Sequence, residues 1–251
     1  MTDVVHAETV ERVTVVTIDR PQARNAIDAD VSEGIGRMLT AAAADKAVGA
    51  VVITGAGTQA FCSGMDLRSF ARGRTLGPGI GIVLRDRYPK PLVAAVNGAA
   101  VGGGFDLALA CDLIVAAEHA TFGLPEVKRG VASVGGSTRL AQRVPLAIAL
   151  ELTLTGEPID ARRALGLGLV NRVVAADAVV GEAVRLAALI AANAPLAVAF
   201  TRTLVHETAR SLDASAWAAR QASAEPVLRS DDARIGAEAF AARQAPLWTG
   251  R

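Results

Sequence analysis

Three short stretches of the chain are apolar at nearly every position: residues 49–54 (GAVVIT), 91–97 (PLVAAVN) and 113–117 (LIVAA). A strand with one face in water alternates polar and apolar side chains. An unbroken apolar run of this length therefore marks a strand covered on both faces, as in a parallel sheet flanked by helices. Glycine-rich turns and Ala/Leu-rich helical stretches separate the runs, so the chain reads as an α/β fold of repeated crossover units. Upstream, residues 10–18 (VERVTVVTI) are rich in β-branched side chains and read as a strand ended by Asp19-Arg20-Pro21. Asp28 or Asp30 is placed to cap a helix reaching about Ala44. After about residue 140 the strand signal fades, and residues 147–155, 162–167, 177–192, 197–209 and 231–243 read as helices punctuated by prolines.

Composition narrows the function classes. At 251 residues the chain is one large domain, or one domain with an appendage. It is 51% hydrophobic but only 4% aromatic, so its core is built from Ala, Val, Leu and Ile, and disorder is excluded. Lys and Arg number 26 against 25 Asp and Glu, which leaves no field to hold a long nucleic acid. Cys62 and Cys111 have no ligand-like spacing and read as buried apolar residues of a reducing compartment. The histidines, His6, His119 and His206, stand apart from other candidate ligands, so no metal site is expected. The N-terminus lacks a basic segment followed by an apolar run, and residues 186–200 are interrupted by Asn193 and Pro195. A soluble cytoplasmic protein without nucleic-acid or membrane partners is expected.

Three glycine-rich places could carry chemistry. Gly55-Ala56-Gly57-Thr58-Gln59-Ala60 superficially fits a dinucleotide fingerprint. No helix opens there and no acid follows about 20 residues on, so it reads as a tight turn after a buried strand. Phe61-Cys62-Ser63-Gly64-Met65-Asp66-Leu67 is by itself an ordinary loop with small residues. Gly102-Gly103-Gly104 lies between a buried strand and a helix. Three glycines there serve either a close helix–strand crossing or exposed N–H groups that hold an anion or developing oxyanion, and spacing leaves both open. Two acids stand near these turns: Asp106, in the first turn after the triplet, and Glu126, after Pro125. Both positions equally suit acids that complement a helix dipole.

Taken in order, the segments resemble the enoyl-CoA hydratase/isomerase (crotonase) superfamily. The resemblance rests on Asp19-Arg20-Pro21 with Arg24-Asn25-Ala26, ITGAGTQAFCSGMDL at 53–67 and PLVAAVNGAAVGGGFDLALACDLIVAA at 91–117. It continues through FGLPEVKRG at 122–130, GGSTRL at 135–140 and LTGEPIDARRALGLGLVNRVV at 154–174, and spans nearly the whole chain. It implies a spiral of ββα units over residues 1–194, followed by a helical C-terminal region, 195–251, that packs on the core and on a neighbouring subunit in a homotrimer or dimer of trimers.

For function, the resemblance implies an enoyl-CoA hydratase, a lyase adding water reversibly and syn to a trans-2-enoyl-CoA, with no cofactor beyond the coenzyme A of the substrate itself. The oxyanion hole would be the N–H groups of Met65 and Gly103, whose donors stabilise charge where it develops. Coenzyme A contacts would come from Arg24, Ala26, Ser63, Met65, Asp66, Leu67, Arg68 and Gly103, with Phe240 and Arg243 reaching a neighbouring subunit's pocket. Of the basic set Arg68, Arg72, Arg74, Arg85, Arg87 and Lys90, only Arg68 is expected to serve coenzyme A. The acyl pocket would be shaped by residues 70–82 and 131–134. Glu126 would deliver the proton to C2 and Asp106 would deprotonate the attacking water, although Asp106 is one methylene shorter than the glutamate of the hydratase pattern. The alternatives are a one-acid isomerase, an activity like the carnitinyl-CoA dehydratase branch (which PLWTGR and LPEVK also resemble), or an acyl-CoA-binding protein with little catalysis.

Overall fold

The computed structural model describes residues 4–73, 76–84, 88–210, 229–244 and 246. The N-terminal β-branched run is a hairpin: β1 (Val5–Val10) and β2 (Val13–Ile18) pair antiparallel around Glu11, which takes φ 53°. The sequence reading merges part of this hairpin into one strand, because Glu11-Arg12 lacks the Asn, Asp or Gly that usually marks such a turn. Asp28 caps α1 (Ala29–Ala44), its Oδ1 accepting from Val31 N at 3.0 Å.

The three apolar runs are β3 (Ala50–Gly55), β5 (Leu92–Val96) and β7 (Leu113–Ala117). With β10 (Arg172–Val174) they extend β2 in parallel, giving a sheet of order β1-β2-β3-β5-β7-β10 with β1 antiparallel at its edge. Every residue of β3 and β5 is buried, as an apolar run covered on both faces requires. The covering helix on one side is α8 (Val179–Ala191), packed on β2, β3, β5 and β7; Ala183, Ala187 and Ala191, four apart, form its buried face.

A second sheet is made of β4 (Ala60–Cys62), β6 (Ala99–Val101), β8 (Thr121–Gly123) and β9 (Ile159–Asp160). The chain thus steps from the large sheet to the small one and then into a helical segment, three times. The pairs β3–β4, β5–β6 and β7–β8 are followed by α2 (Leu67–Ala71), α4 (Gly103–Ala110) and a 3-10 turn at Pro125–Arg129. This is the ββα spiral expected from the resemblance. Asn97, between β5 and β6, ties one unit to the previous one: its Nδ2 donates to Gly55 O at 2.7 Å and Gly57 O at 2.6 Å.

The remaining helices are α3 (Gly81–Leu84), α5 (Gly135–Ala141), α6 (Leu146–Thr155), α7 (Ala161–Gly166), α9 (Pro195–Arg210) and α10 (Asp231–Ala242). Among the described residues no single helix is long and apolar enough to cross a membrane. A polar clasp fastens α9 to the core. Asp112 accepts from Leu92 N, from Arg202 Nε and from His206 Nε2, while Arg202 Nη1 donates to Tyr88 O at 2.6 Å. Burial would raise the Asp112 pKa, but the His206 hydrogen bond and the Arg202 charge outweigh it and hold the carboxyl below its ordinary value. Cys62 and Cys111 are buried and free, and burial pushes both thiols up to about 12.

Candidate active site

The three adjacent glycines have three different environments. Gly102 sits at φ 55°, a conformation that disfavours side chains, and turns the chain from β6 into α4. A Cβ on Gly104 would begin 2.0 Å from Cys62 O, so α4 touches β4 there through bare backbone. A Cβ on Gly103 would approach nothing closer than 3.6 Å, and the atoms it would meet are Gly64 Cα and Met65 N. Packing therefore accounts for Gly104, dihedral freedom for Gly102, and neither for Gly103.

Met65 lies opposite Gly103 because the loop before α2 is held on both sides. Ile27 N donates to Gly64 O at 2.8 Å and Asp66 N donates to Ile27 O at 2.9 Å, a parallel bridge that flanks Met65. Arg20 braces this bridge, with Nη1 on Ala26 O and Asp28 Oδ2 and Nη2 on Asp66 Oδ2. Asp66 Oδ1 in turn caps α2 by accepting from Arg68 N and Ser69 N. Among the described residues, the N–H groups of Met65 and Gly103 make no backbone hydrogen bond. Two free amides therefore stand side by side on a braced backbone.

Glu126 is presented to the same place by β8 and the 3-10 turn that starts at Pro125, whose fixed φ suits a helical first position. Its Oε1 lies 3.4 Å from where a Cβ on Gly102 would stand. Its Oε2 is buried without a hydrogen-bond partner, as is Ser133 Oγ. Burial raises the Glu126 pKa and the charge of Asp106 adds to it, while a backbone N–H and the neighbouring Ser133 hydroxyl pull the other way. The net shift is upward, toward values useful to a group that both gives and takes a proton.

These groups lie on one cleft of about 1260 Å³. Met65, Gly103, Glu126 and all the other positions expected to touch coenzyme A (Arg24, Ala26, Ser63, Asp66, Leu67, Arg68) line it. So do Arg72 and, from the stretches expected to shape an acyl pocket, Val131 and Ala132. Arg24, Arg68 and Arg72 form no ion pair among the described residues, which leaves their charges for an anionic ligand. Sequence reasoning assigned no role to Arg20 and Arg129, which also line the cleft. Arg129 lies over the Phe240 ring at 5.0 Å, a contact between segments that no sequence spacing reveals.

For several of the expected residues the structure gives a particular setting. Phe240 and Arg243, which the resemblance assigns to a neighbouring subunit's pocket, also line the cleft of their own chain, where α10 packs on α2 and on the 125–129 turn. Lys90, of the basic set, caps the end of α1, donating to Ala42 O and Asp45 O, and Arg72, also not expected to serve coenzyme A, lines the cleft. Arg74, Arg85 and Arg87 lie outside the described residues. Asp106 is not among the cleft-lining residues. Its Oδ1 is paired with Arg139 Nη1 at 2.6 Å, and the other arm of Arg139 donates to Leu84 O. Burial raises the Asp106 pKa and Arg139 pulls it down. The water-activating role expected of Asp106 thus meets a carboxylate already occupied by a guanidinium. That partner sits 33 residues away in GGSTRL, where sequence gave no sign of the pairing.

The sequence model of the family described as Enoyl-CoA hydratase/isomerase matches residues 8–251. The chain is 38% identical over 262 aligned positions to a carnitinyl-CoA dehydratase of Proteus mirabilis, with all of both chains covered. It is 40% identical to a carnitinyl-CoA dehydratase of Citrobacter koseri, over 94% of each. Among solved structures it is similar to a carnitinyl-CoA dehydratase from Mycobacterium avium (TM-score 0.92, 42% identity, all of both chains). A further similar structure is an enoyl-CoA hydratase from Mycobacterium tuberculosis (TM-score 0.79, 44% identity, 99% of this chain and all of that one).

Proposed function

This chain belongs to the enoyl-CoA hydratase/isomerase family, and from that premise we propose that it interconverts a 3-hydroxyacyl-CoA and a trans-2-enoyl-CoA by syn loss or addition of water. The observation that carries the reading is the convergence of Glu126 with the free N–H groups of Met65 and Gly103 on one cleft. A thioester oxygen seated between the two amides gains hydrogen bonds as it takes up negative charge, which favours the enolate-like transition state. In the addition direction Glu126 gives its proton to C2, and the water oxygen that bonds to C3 returns a proton to the same carboxyl. In elimination the steps reverse. Free arginines along the cleft, Arg24, Arg68 and Arg72, suit the phosphates of coenzyme A.

One observation favours a second reading. With Asp106 occupied by Arg139, and the cleft-lining Asp28 and Asp66 paired with Arg20, Glu126 is the one carboxyl lining the cleft without an ion pair among the described residues, and one carboxyl suffices to move a double bond between C2–C3 and C3–C4. Hydration of crotonyl-CoA, dehydration of carnitinyl-CoA and isomerisation of a 3-enoyl-CoA, assayed side by side, separate the two. Turnover in the first or second is expected. Tight binding of all three without turnover would leave acyl-CoA binding as the function. Asp106→Asn should lower hydration and isomerisation together, since it removes the charge that faces Arg139 and with it the salt bridge between α4 and α5, and urea unfolding should shift with it. Selective loss of hydration with unchanged stability would instead make Asp106 the water base.

We also propose self-association. Leu196, Phe200 and Leu204 recur every four residues on α9 and are 85%, 71% and 53% exposed, and Leu146, Leu150 and Leu154 repeat the pattern on α6. Two apolar stripes of this kind are more than a monomer usually leaves in water. A trimer or a dimer of trimers is expected by sedimentation at micromolar concentration; a stable monomer would overturn it.

A further inference from the structure

Arg20 differs from other arginines of the cleft. Arg24, Arg68 and Arg72 form no ion pair among the described residues, whereas Arg20 is held by two carboxylates, Asp28 Oδ2 at 2.8 Å and Asp66 Oδ2 at 3.3 Å. Each of these aspartates is also a helix cap. Asp28 Oδ1 accepts from Val31 N at the start of α1, and Asp66 Oδ1 accepts from Arg68 N and Ser69 N at the start of α2. One oxygen of each carboxyl thus fixes a helix, and the other fixes Arg20. The side chains of Arg20, Asp28 and Asp66 are only 17%, 19% and 17% exposed, unlike the solvated surface pairs that hold little.

The third acceptor is Ala26 O, 2.9 Å from Nη1. Ala26 and Asp28 stand on either side of Ile27, and Asp66 follows Met65; Ile27 and Met65 are the two residues of the parallel bridge. One planar group therefore grips the neighbours of both bridged residues. Arg20 is itself fixed through Asn25, whose Oδ1 accepts from Arg20 N at 3.0 Å and whose N donates to Arg20 O at 2.9 Å. Just before Met65 the loop lies directly on the turn into α4, since a Cβ on Gly64 would stand 2.7 Å from Val101 O and 2.9 Å from Gly103 N. The spacing of the Met65 and Gly103 amides is set by where this bridge lies.

We propose that Arg20 is a positioning residue for the Met65 amide, acting through Asp66 and the Ile27 bridge, and not a ligand of coenzyme A. The proposal rests on the reading that the Met65 and Gly103 amides receive the thioester oxygen. Two carboxylates already answer the charge of Arg20, so a phosphate gains less there than at Arg24, Arg68 or Arg72. The guanidinium is needed for its shape: a lysine keeps the charge but cannot present a rigid fork to three acceptors on two segments.

The test uses butyryl-CoA labelled with carbon-13 at the thioester carbonyl, a saturated thioester with no double bond to hydrate. Infrared difference spectra of the full-length parent should show the carbonyl stretch displaced to lower wavenumber, because hydrogen bonds to the oxygen polarise it. Arg20→Gln and Arg20→Lys should both lose most of that displacement. With an acyl-CoA that turns over, both should lower kcat by about 10²-fold, the effect of misplacing a group by about 1 Å. Affinity for free coenzyme A should stay near the parent's. Asp66→Asn keeps a side-chain oxygen to cap α2 but removes the charge facing Arg20. It should lose the displacement too, adding little when combined with Arg20→Gln, and it carries the test should Arg20→Gln fail to fold. A parent-like displacement in Arg20→Gln or Asp66→Asn would overturn the proposal. So would a parent-like Arg20→Lys, which would reduce Arg20 to a charge, or weakened binding of free coenzyme A with the carbonyl unmoved, which would make it a ligand. No displacement in the parent would instead sink the oxyanion reading itself, so the two failures are told apart.

Discussion

Glu126→Gln is expected to lower turnover by about 10²–10⁴-fold, the usual contribution of a positioned acid or base, while raising the unfolding midpoint at neutral pH. The two effects have one cause. Glu126 is buried with one oxygen unpaired, and its pKa is raised mainly by that burial. A carboxyl whose pKa is higher in the folded than in the unfolded state opposes folding wherever it is ionised. Its cost is absent below the unfolded value and fully present above the folded one. Glutamine keeps the shape, removes the charge and cannot shuttle the proton. Thermal melts at pH 7 and pH 4 check the sign: the variant should gain on the parent at pH 7 and lose that advantage at pH 4. Unchanged turnover, or a less stable variant at pH 7, would make Glu126 a structural acid at a helical first turn.

Gly103→Ala and Gly104→Ala, one residue apart, should fail in opposite ways. A methyl on Gly103 has room, since its nearest neighbours lie 3.6 Å away, but one of those neighbours is the nitrogen of Met65. It would occupy the space in front of the two free amides. Turnover should drop by about 10²–10³-fold, the effect of losing an oxyanion donor, with the melting temperature near the parent's. A methyl on Gly104 would begin 2.0 Å from Cys62 O, a backbone atom that cannot swing away. That variant should lose about 3 kcal/mol or more of stability, or fail to fold. Parallel loss of stability and activity in Gly103→Ala would show that the glycine serves packing after all.

The parts of the fold that sequence makes legible are those where burial dictates composition. β3, β5 and β7 are apolar at nearly every position because both faces are covered, and α8 carries its alanines four apart because one face meets the sheet. The second sheet is illegible on the same grounds. Its strands are two or three residues long, too short for any periodicity, and their residues read as glycine-rich turns. At the site, the glycine triplet and Glu126 stand out from the residues alone, but Met65 and the roles of all three emerge only through the ordered resemblance, because the loop of Met65 is by itself an ordinary turn. What no pattern supplies is the pairing across distance. Asp106 with Arg139, Arg20 with Asp28 and Asp66, and Arg129 over Phe240 depend on how the units stack. The Asp106 pairing matters most, because it sets a guanidinium against the acid to which the resemblance assigns the water.

The thrice-repeated step from large sheet to small sheet separates what this architecture can vary from what it must keep. The amides of Met65 and Gly103 and the base of the Glu126 turn follow directly on β4, β6 and β8, which are paired to one another and cannot shift independently. The segments after them, running through α2 and α3 in one unit and from Gly130 to α5 in another, leave that frame and return to it with their ends pinned. Lengthening or rewriting those excursions changes the walls of the cleft without moving the amides or the acid. A lineage built on this frame can therefore change what its cleft admits by exchanging surface excursions, while the placing of Met65, Gly103 and Glu126 is inherited unchanged.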